Sequence, residues 1–399
     1  MKQATSFGVP WSALTAAPDF TVETITDYQS FLALEDAWTQ VHEEAGCDNP
    51  FLTYEWMRTW WEAFGRGKEL CILLVKQRHD PVAVAPLMFD VGRLVGMKVR
   101  RLESIHNAHT PRFDFLVSRS ADEVYGSIWK HLLALRPHWD VLQLNQLPQG
   151  SRTLEAFPRF AEQAGVRYGI WHSNESPYLP LSGDWESYLA TLDSKHRSNL
   201  RNRLKRLGGI GPVSLSTATA GPDLDGMLEE GLRIEAAAWK GKAGTAICCQ
   251  PELRQFYSSL ARRFAARGWV RLQFLKVGDR RAAFAYSICY RGKSYLVKIG
   301  YDPEFSVYSP FNLLCRFLLR NAFEEGLSEF DFLGESMDWK LRWARERRPH
   351  YWLYIFPNAL RSRLLHSAKF RLIPLLKSFV PLAPSCEALE GLLNAWVSP

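Results

Sequence analysis

The 399-residue sequence lacks the patterns that would send it out of the cell or across a membrane. Nowhere do about 18 apolar residues run together, and residues 1–20 contain no apolar segment of signal-peptide length. The seven cysteines are odd in number and scattered, without a CxxC pair for zinc or a disulfide framework. These absences predict a cytoplasmic protein with neither a cleaved signal nor a transmembrane helix.

The signatures of several enzyme classes are also missing. The sequence has no GxxxxGK[ST] phosphate loop and no GxSxG nucleophile elbow. The glycines at 208–211 follow a helical pattern rather than a strand, which is typical of a helix end. His106 and His109 have no further ligands at metal spacing, so we expect no metal site.

The composition that is present indicates a globular protein with an anionic partner. Hydrophobic residues make up 47% of the chain and aromatic residues 13%, which is ample for a core. The net charge of +7 favours a phosphorylated cofactor, a nucleic acid or an anionic membrane surface, and charge alone does not choose among them. At roughly 150 residues per domain, the length suggests two or three domains.

Two segments share a plan. "LCILLVKQRHDPVAVAPLMF" predicts two strands joined by a turn at 78–81, and "RLQFLKVGDRRAAFAYSICY" repeats the pattern at 271–290. In each half a helical pattern and a short strand follow, at 121–144 and at 309–333. The sequence therefore predicts two similar units, each with antiparallel strands, a helix and a further strand.

The join between the units is expected near 171–185, where serine, proline and glycine cluster. We predict domains at 1–175 and 176–357. A basic tail at 358–399 is predicted to form helical pieces on the outside. Its arginines and lysines alternate with apolar residues, which would also suit contact with an anionic membrane surface.

The segment "YSPFNLL" predicts a helix N-terminus just after a strand. Ser309 suits the N-cap position and Pro310 the first helical position, and an apolar stripe follows until Gly326 ends the helix. Because the first turn leaves N–H groups unpaired, Ser309 to Asn312 form a candidate phosphate site. The same features also occur where a helix simply begins.

Three other stretches carry candidate chemistry. Arg197 and Arg201 recur on one face of a basic helix, which is either an anion clamp or a solvated surface. Glu235 precedes a Trp239-Lys240-Gly241 corner. Asp331 lies in a short strand, and Lys340 lies in the cationic loop that follows. This arrangement favours either a general base or an ion pair that anchors the loop.

Five blocks together carry a resemblance to a known family, over about residues 185–345. They are "KHRSNLRNRLKRL", "EAAAWKGKAGTAI", "FYSSLARRFAARGWVRLQFLKVGDRRAAFAYSI", "YLVKIGYDPEFSVYSPFNLL" and "EFDFLGESMDWKLRW". They resemble the acetyltransferase-like domain of the GNAT superfamily in proteins associated with cellulose and exopolysaccharide biosynthesis. The N-terminal half resembles the degenerate partner domain of these proteins, an arrangement similar to the paired GNAT folds of Fem-type peptidyltransferases.

The resemblance implies an α/β (α+β) fold of two tandem GNAT-like domains, each a mixed, mostly antiparallel sheet flanked by helices. It implies transfer of an acyl group from acetyl-CoA or another acyl-CoA to an amine, on an amino sugar or envelope precursor. The CoA pyrophosphate would lie at Ser309, Pro310, Phe311 and Asn312. The family usually has glycine where Phe311 stands, so the ring either crowds the phosphates or faces the core.

Within this resemblance we assign further roles as hypotheses. Glu235 and Asp331 are the carboxylates expected to bind the amine or accept its proton, with Lys340 near the developing charge. The expected acceptor contacts are Arg197, Arg201, Trp239, Lys240 and Tyr301. Two alternatives stay open: a Fem-like transferase that uses aminoacyl-tRNA, and a non-catalytic module of a polysaccharide synthesis complex. The basic helix lacks interleaved aromatic residues, so no DNA partner is expected.

Overall fold

The computed structural model describes residues 20–237 and 246–375. Thirteen strands in these residues form one mixed sheet. In chain order they are β1 Phe20–Ile25, β2 Glu69–Gln77, β3 Asp80–Leu94, β4 Met97–Ser104, β5 Leu116–Val117, β6 Val141–Pro148, β7 Arg167–Pro180, β8 Val213–Ala218, β9 Val270–Val277, β10 Arg280–Tyr290, β11 Lys293–Tyr301, β12 Glu329–Asp331 and β13 Glu346–Phe356.

Helices cover the sheet. The described α-helices are α1 Tyr28–Leu32, α2 Glu35–Glu44, α3 Tyr54–Phe64, α4 Ala121–Ala134, α5 Arg152–Gln163, α6 Trp185–Thr191, α7 Ser194–Gly208, α8 Leu224–Ala236, α9 Pro251–Ala266, α10 Pro310–Glu324, α11 Asp338–Leu341 and α12 Leu360–Ser367. A 3₁₀ helix, Pro303–Tyr308, precedes α10, and a π-helical turn, Ala368–Leu372, follows α12. The predicted α/β class with a large mixed sheet flanked by helices is confirmed.

The strand order shows an internal repeat. It runs β1-β2-β3-β4-β6-β13-β7-β12-β11-β10-β9-β8, and β5 pairs with β3 off this path. β4 runs parallel to β6, and β11 runs parallel to β12. In the first half β3 pairs antiparallel with both β2 and β4, and in the second half β10 pairs antiparallel with both β9 and β11. The two predicted hairpins, each followed by a helix and a strand, are thus confirmed as β2–β3 and β9–β10.

The two repeats exchange their last strands. β7 leaves the first repeat and pairs with β12 of the second, while β13 returns to pair with β6 of the first. β7 and β13 also pair with each other from Arg167 with Phe356 to Tyr178 with Glu346. The predicted boundary at residue 175 falls inside β7, where a strand rather than a loop carries the chain across. The division into domains stays a prediction.

Side chains of two helices also hold the halves together. α9 of the second half packs against α3 of the first, with the rings of Trp56 and Phe256 centred 5.2 Å apart. Arg263 of α9 donates to both carboxylate oxygens of Glu62, at 2.9 and 2.8 Å. This packing and the exchanged strands fix the position of one half relative to the other, and the candidate site depends on that.

No described helix is long and apolar enough to cross a membrane.

Candidate functional site

The candidate site is a cavity of about 1020 Å³ that opens where β11 and β12 separate. The two strands pair only at Lys293–Tyr295 with Glu329–Asp331. Beyond that point β11 continues along the cavity, and the chain after β12 turns away. Four segments form most of its wall, namely residues 106–111, 296–301, 309–312 and 332–335. Side chains from β6, β7, β13, α8 and α9 also contribute to it.

The first turn of α10 faces this cavity, with Ser309 to Asn312 all in its wall. Ser309 occupies the N-cap position as predicted, but its backbone is left-handed (φ 49°) and its side chain makes no capping bond. The first helical bond runs from the N–H of Leu313 to the carbonyl of Ser309 at 3.2 Å. The N–H groups of Phe311 and Asn312 precede it, where a helix provides no acceptor. The first turn contains no acidic residue, so its partial positive charge is not neutralised locally.

The ring of Phe311 packs into the core. The side chain is 9% exposed and lies edge-on to Trp339, with ring centroids 5.0 Å apart. It belongs to the same apolar cluster as Leu314 and Leu318 of the α10 stripe. Of the two alternatives for this position, the structure therefore shows the ring that faces the core. Phe311 also forms part of the cavity wall.

Glu235 reaches the cavity because α8 lies very close to β11. A Cβ atom added at Gly300 would stand 2.5 Å from the Cα of Glu235, so only glycine permits this approach. The Glu235 side chain is buried, and its Oε2 accepts a hydrogen bond from the backbone N–H of Ile247 at 3.1 Å. The carboxylate is thereby held in the cavity wall beside β11.

Sequence reasoning missed a polar cluster that lines the same cavity as Glu235. Nδ1 of His109 lies 3.1 Å from the hydroxyl of Tyr257 and 3.1 Å from Nζ of Lys298. Burial and the neighbouring Lys298 lower the pKa of His109 to about 3. Because a lysine ammonium and a tyrosine hydroxyl can both donate to Nδ1, we assign the proton of the neutral ring to Nε2.

No local sequence signal could have revealed this cluster. His109 is 148 residues from Tyr257 and 189 from Lys298. In the sequence, the two histidines were considered only as a metal pair, and the described residues contain no group of three or more potential metal ligands.

Burial, helped by Tyr286 and Glu235, raises the pKa of Tyr257 well above its usual value. Its hydroxyl is therefore protonated at neutral pH.

Lys340 stabilises the turn that closes the cavity after β12. Its Nζ donates to the carbonyl oxygens of Leu333 and Glu335, the latter at 2.9 Å. Leu333 and Gly334 both have left-handed backbones, with φ of 52° and 58°. Burial lowers the pKa of Lys340 to about 8, against the raising effects of Asp331 and Glu335. Both protonation states are thus accessible close to neutral pH.

Asp331 lies behind the cavity wall rather than in it. It is fully buried, and its Oδ2 accepts from Arg112 at 2.6 Å and from Arg348 at 2.7 Å. Its Oδ1 accepts from the N–H of Leu333 at 2.8 Å. The carboxylate joins the first half, through Arg112, to the turn that carries Leu333. This geometry gives Asp331 a positioning role, and its assignment as a proton acceptor stays a prediction.

The remaining predicted residues are distributed unevenly. Tyr301 lies in the cavity wall with Glu235, Lys340 and the first turn of α10. Arg197 and Arg201 lie on α7, outside that wall; Arg201 is exposed, and Arg197 is half-buried. Trp239 and Lys240 lie outside the described residues.

Residues 194–341 match the family model described as an acetyltransferase (GNAT) domain. The match covers less than half of the chain, and it includes α7, α8, α10 and Lys340. Residues 194–341 thus carry an acetyltransferase-type domain, which supports an N-acyltransferase. No curated protein matches the chain by sequence.

Solved structures show how far the fold extends. The crystal structure of FemX is 13% identical, with a TM-score of 0.56, over 86% of this chain and 99% of FemX. A conserved protein of unknown function from Bacteroides thetaiotaomicron VPI-5482 is also 13% identical, with a TM-score of 0.52, over 84% of this chain and 100% of that one. At such identities the likeness shows a shared fold, and it covers both repeats.

Proposed function

We propose that the protein transfers an acyl group from acetyl-CoA or another acyl-CoA to an amine, on an amino sugar or another envelope polysaccharide precursor. One observation carries the proposal: a single cavity brings the first turn of α10 together with Glu235, Lys340 and Tyr301. These are the elements that the sequence resemblance assigns to CoA binding and to acyl transfer.

The residues at α10 fit a pyrophosphate group. The N–H groups of Phe311 and Asn312 belong to the unpaired first turn, and no carboxylate competes with an anion there. Asn312, in the cavity wall, adds a side-chain amide whose NH2 group can donate to a phosphate oxygen. When bound, the acyl-CoA supplies the thioester that the amine attacks.

The opposite wall provides the groups for proton transfer and for orientation. Glu235 is a carboxylate held at a fixed distance from β11, which suits the acceptance of a proton from the attacking amine. His109, neutral and protonated at Nε2, presents a donor that can hold a hydroxyl or carbonyl oxygen of the acceptor. Lys340 fixes the turn at 333–335, so that the wall facing α10 keeps its shape.

Calorimetric titration with acetyl-CoA tests the first part of this proposal. We expect measurable heat and a higher melting temperature, because a ligand that binds only the folded state stabilises it. No heat and no thermal shift up to millimolar acetyl-CoA would instead favour the non-catalytic module.

The base assignment needs a second measurement. Glu235→Gln should leave acetyl-CoA binding intact and lower turnover on an amino sugar such as glucosamine by about 100-fold or more. Asp331→Asn is the matched comparison. Full turnover in both variants would rule out either carboxylate as the base.

A Fem-like transferase that uses aminoacyl-tRNA is the second candidate. The likeness to FemX and the exposed cationic side chains of α7, among them Arg201, favour it. Binding to tRNA would fall steeply with salt, since each phosphate contact releases counterions. An acyl-CoA enzyme would show a milder salt dependence.

We also infer a cytoplasmic location. The six described cysteines are all free thiols, among them Cys71 and Cys315 in the core. Free thiols suit a reducing compartment. Fractionation of cells that express the full chain would test this location.

A further inference from the structure

The helical segment at the C-terminal end of the described chain has a buried face and an exposed face. The buried face consists of Ser362, Leu365, Lys369 and Ile373. Leu365 lies there in one apolar cluster with Val99, Tyr354 and Phe356, and the tail at 358–399 as a whole stays a prediction. The opposite face carries four exposed leucines, Leu360, Leu364, Leu372 and Leu375.

The hairpin between β3 and β4 extends this exposed apolar surface. Val91 and Met97 are exposed on it, and its Leu94 and Val99 belong to the same apolar cluster as Leu365. Arg361 of α12 donates from Nη2 to the carbonyl of Lys98, which ties the helix to the hairpin. The six exposed apolar side chains show exposed fractions of 41% to 75%.

The charged side chains within residues 91–98 and 360–375 are all positive, and Asp140, outside these two segments, pairs with Arg361, with Nε and Oδ1 3.5 Å apart. Residues 360–375 contain three arginines and one lysine and no aspartate or glutamate, and residues 91–98 add Arg93 and Lys98, again without an acidic residue. Arg363, Arg371, Arg93 and Lys98 are exposed. We call the exposed residues of 91–98 and 360–375 the basic apolar patch.

We propose that the basic apolar patch binds the surface of an anionic lipid bilayer. Leucines on an exposed helix face, flanked by arginine and lysine, match the pattern of helices that lie in a membrane interface. Each exposed cation adds to the attraction towards an anionic surface. This proposal is independent of the acyl transfer proposed above.

The patch is also connected to the cavity. Lys369, on the buried face of the same segment, places its Nζ 5.3 Å from the centre of the Trp171 ring. Trp171 lies in the cavity wall. A protein bound through the patch would therefore hold its cavity close to the bilayer.

Co-sedimentation of the full chain with vesicles tests the proposal. We expect binding to vesicles of equal parts phosphatidylcholine and phosphatidylglycerol, little binding to pure phosphatidylcholine, and a loss of binding as salt rises. The double variant Leu364→Ser/Leu372→Ser should lower the vesicle partition coefficient by about tenfold or more, because two leucine side chains no longer gain from burial in the interface. Arg363→Gln/Arg371→Gln should lower binding only to the anionic vesicles.

A matched control uses exposed apolar residues elsewhere. Ile210 and Val307 are exposed to a similar degree but lie outside the patch, so Ile210→Ser/Val307→Ser should bind vesicles as the parent protein does. Unchanged melting temperatures would show that every variant is folded. Equal loss in the control, or no effect of the patch variants, overturns the proposal.

Two other occupants of the patch give different results. If a second copy of the chain covers it, light scattering will show a dimer that Leu364→Ser/Leu372→Ser converts to a monomer. If residues 376–399 cover it, the full chain will be a monomer that binds no vesicles. Either result overturns the membrane proposal.

Discussion

The two repeats have closely matched backbones and differ in the charge at one helix end. The β2–β3 turn is left-handed at Arg78, and the equivalent β9–β10 turn is left-handed at Gly278. The β3–β4 turn is left-handed at Val95–Gly96, and the β10–β11 turn at Arg291–Gly292. The serines that precede α4 and α10 are left-handed as well, with φ of 48° and 49°. The repeat thus preserves the conformation of its turns whether or not they contain glycine.

The first turns of α4 and α10 have opposite electrostatic character. α4 contains Asp122 and Glu123 in its first turn, whereas α10 contains no acidic residue there. A carboxylate at a helix N-terminus satisfies the partial positive charge that would otherwise attract an anionic ligand. Of the two equivalent helices, α10 is therefore the one suited to hold a phosphate, and the first half instead contributes residues 106–111 to the cavity wall.

The largest effect is expected where the two halves share a buried ion pair. Arg112 of the first half and Asp331 of the second are both almost fully buried, with Nη2 and Oδ2 2.6 Å apart. Arg112→Met leaves Asp331 with one cationic partner fewer in the interior, so we expect a loss of about 3–5 kcal/mol in unfolding free energy. Denaturant unfolding measures it.

The control for Arg112 is an exposed pair. Arg347 lies 3.4 Å from Glu175, and both side chains are partly exposed. Arg347→Met should cost less than about 1 kcal/mol. Similar losses for the two variants would show that the buried pair does not couple the halves.

The next largest change in unfolding free energy is expected at one glycine of the second half, with a glycine of the first half as its counterpart. Gly300→Ala places a methyl group 2.5 Å from the Cα of Glu235, so we expect a loss of about 1–3 kcal/mol and a displaced Glu235. Gly126 in α4 has open space around its missing Cβ, and Gly126→Ala should add about 0.5–1 kcal/mol. Thermal unfolding of both variants checks the sign of each change; stabilisation by Gly300→Ala would contradict the close approach of α8 to β11.

A carboxylate in its first turn would make α10 resemble α4. Asn312→Asp puts a carboxylate into the first turn, and we expect acetyl-CoA to bind about tenfold more weakly, a change of about 1.4 kcal/mol. Asp122→Asn in α4 is the control and should leave binding unchanged. Calorimetric titration measures both. Equal affinity in Asn312→Asp and the parent would place the phosphates elsewhere.

The smallest effect concerns the two left-handed serines. Neither Ser120 nor Ser309 makes a side-chain capping bond, and each pays the steric cost of a left-handed backbone. Replacement of either by glycine should raise the unfolding free energy by up to about 1 kcal/mol. A melting-temperature series would show whether the two halves respond alike; opposite signs would indicate that the matched backbones differ in energy.

Local patterns allowed the sequence to predict much of the fold. Both hairpins, α10 with its apolar stripe, and the strand after α10 follow from periodicity and from turn residues that act within a few positions. The candidate phosphate site at Ser309 to Asn312 follows in the same way. Phe311 was left open because its neighbour Trp339 is 28 residues away and the local pattern does not reveal it.

The wall of the candidate site was predicted only in part. Glu235, Lys340 and Tyr301 were named, and the structure brings them together with α10. Arg197 and Arg201 were named from helical spacing, which identifies a shared face but not the object that the face contacts. The cluster of His109, Tyr257 and Lys298 was missed because its members come from both repeats.

The sequence by itself determined the repeated order of strands and helices and the absence of acidic residues from the first turn of α10. These properties depend on residues close together in the chain. The tertiary structure alone decided the exchange of β7 and β13, the Arg112–Asp331 pair across 219 residues, and the placement of His109 and Glu235 in one cavity. Strand pairing between distant segments sets these contacts, and nothing in the local pattern of either segment specifies its partner.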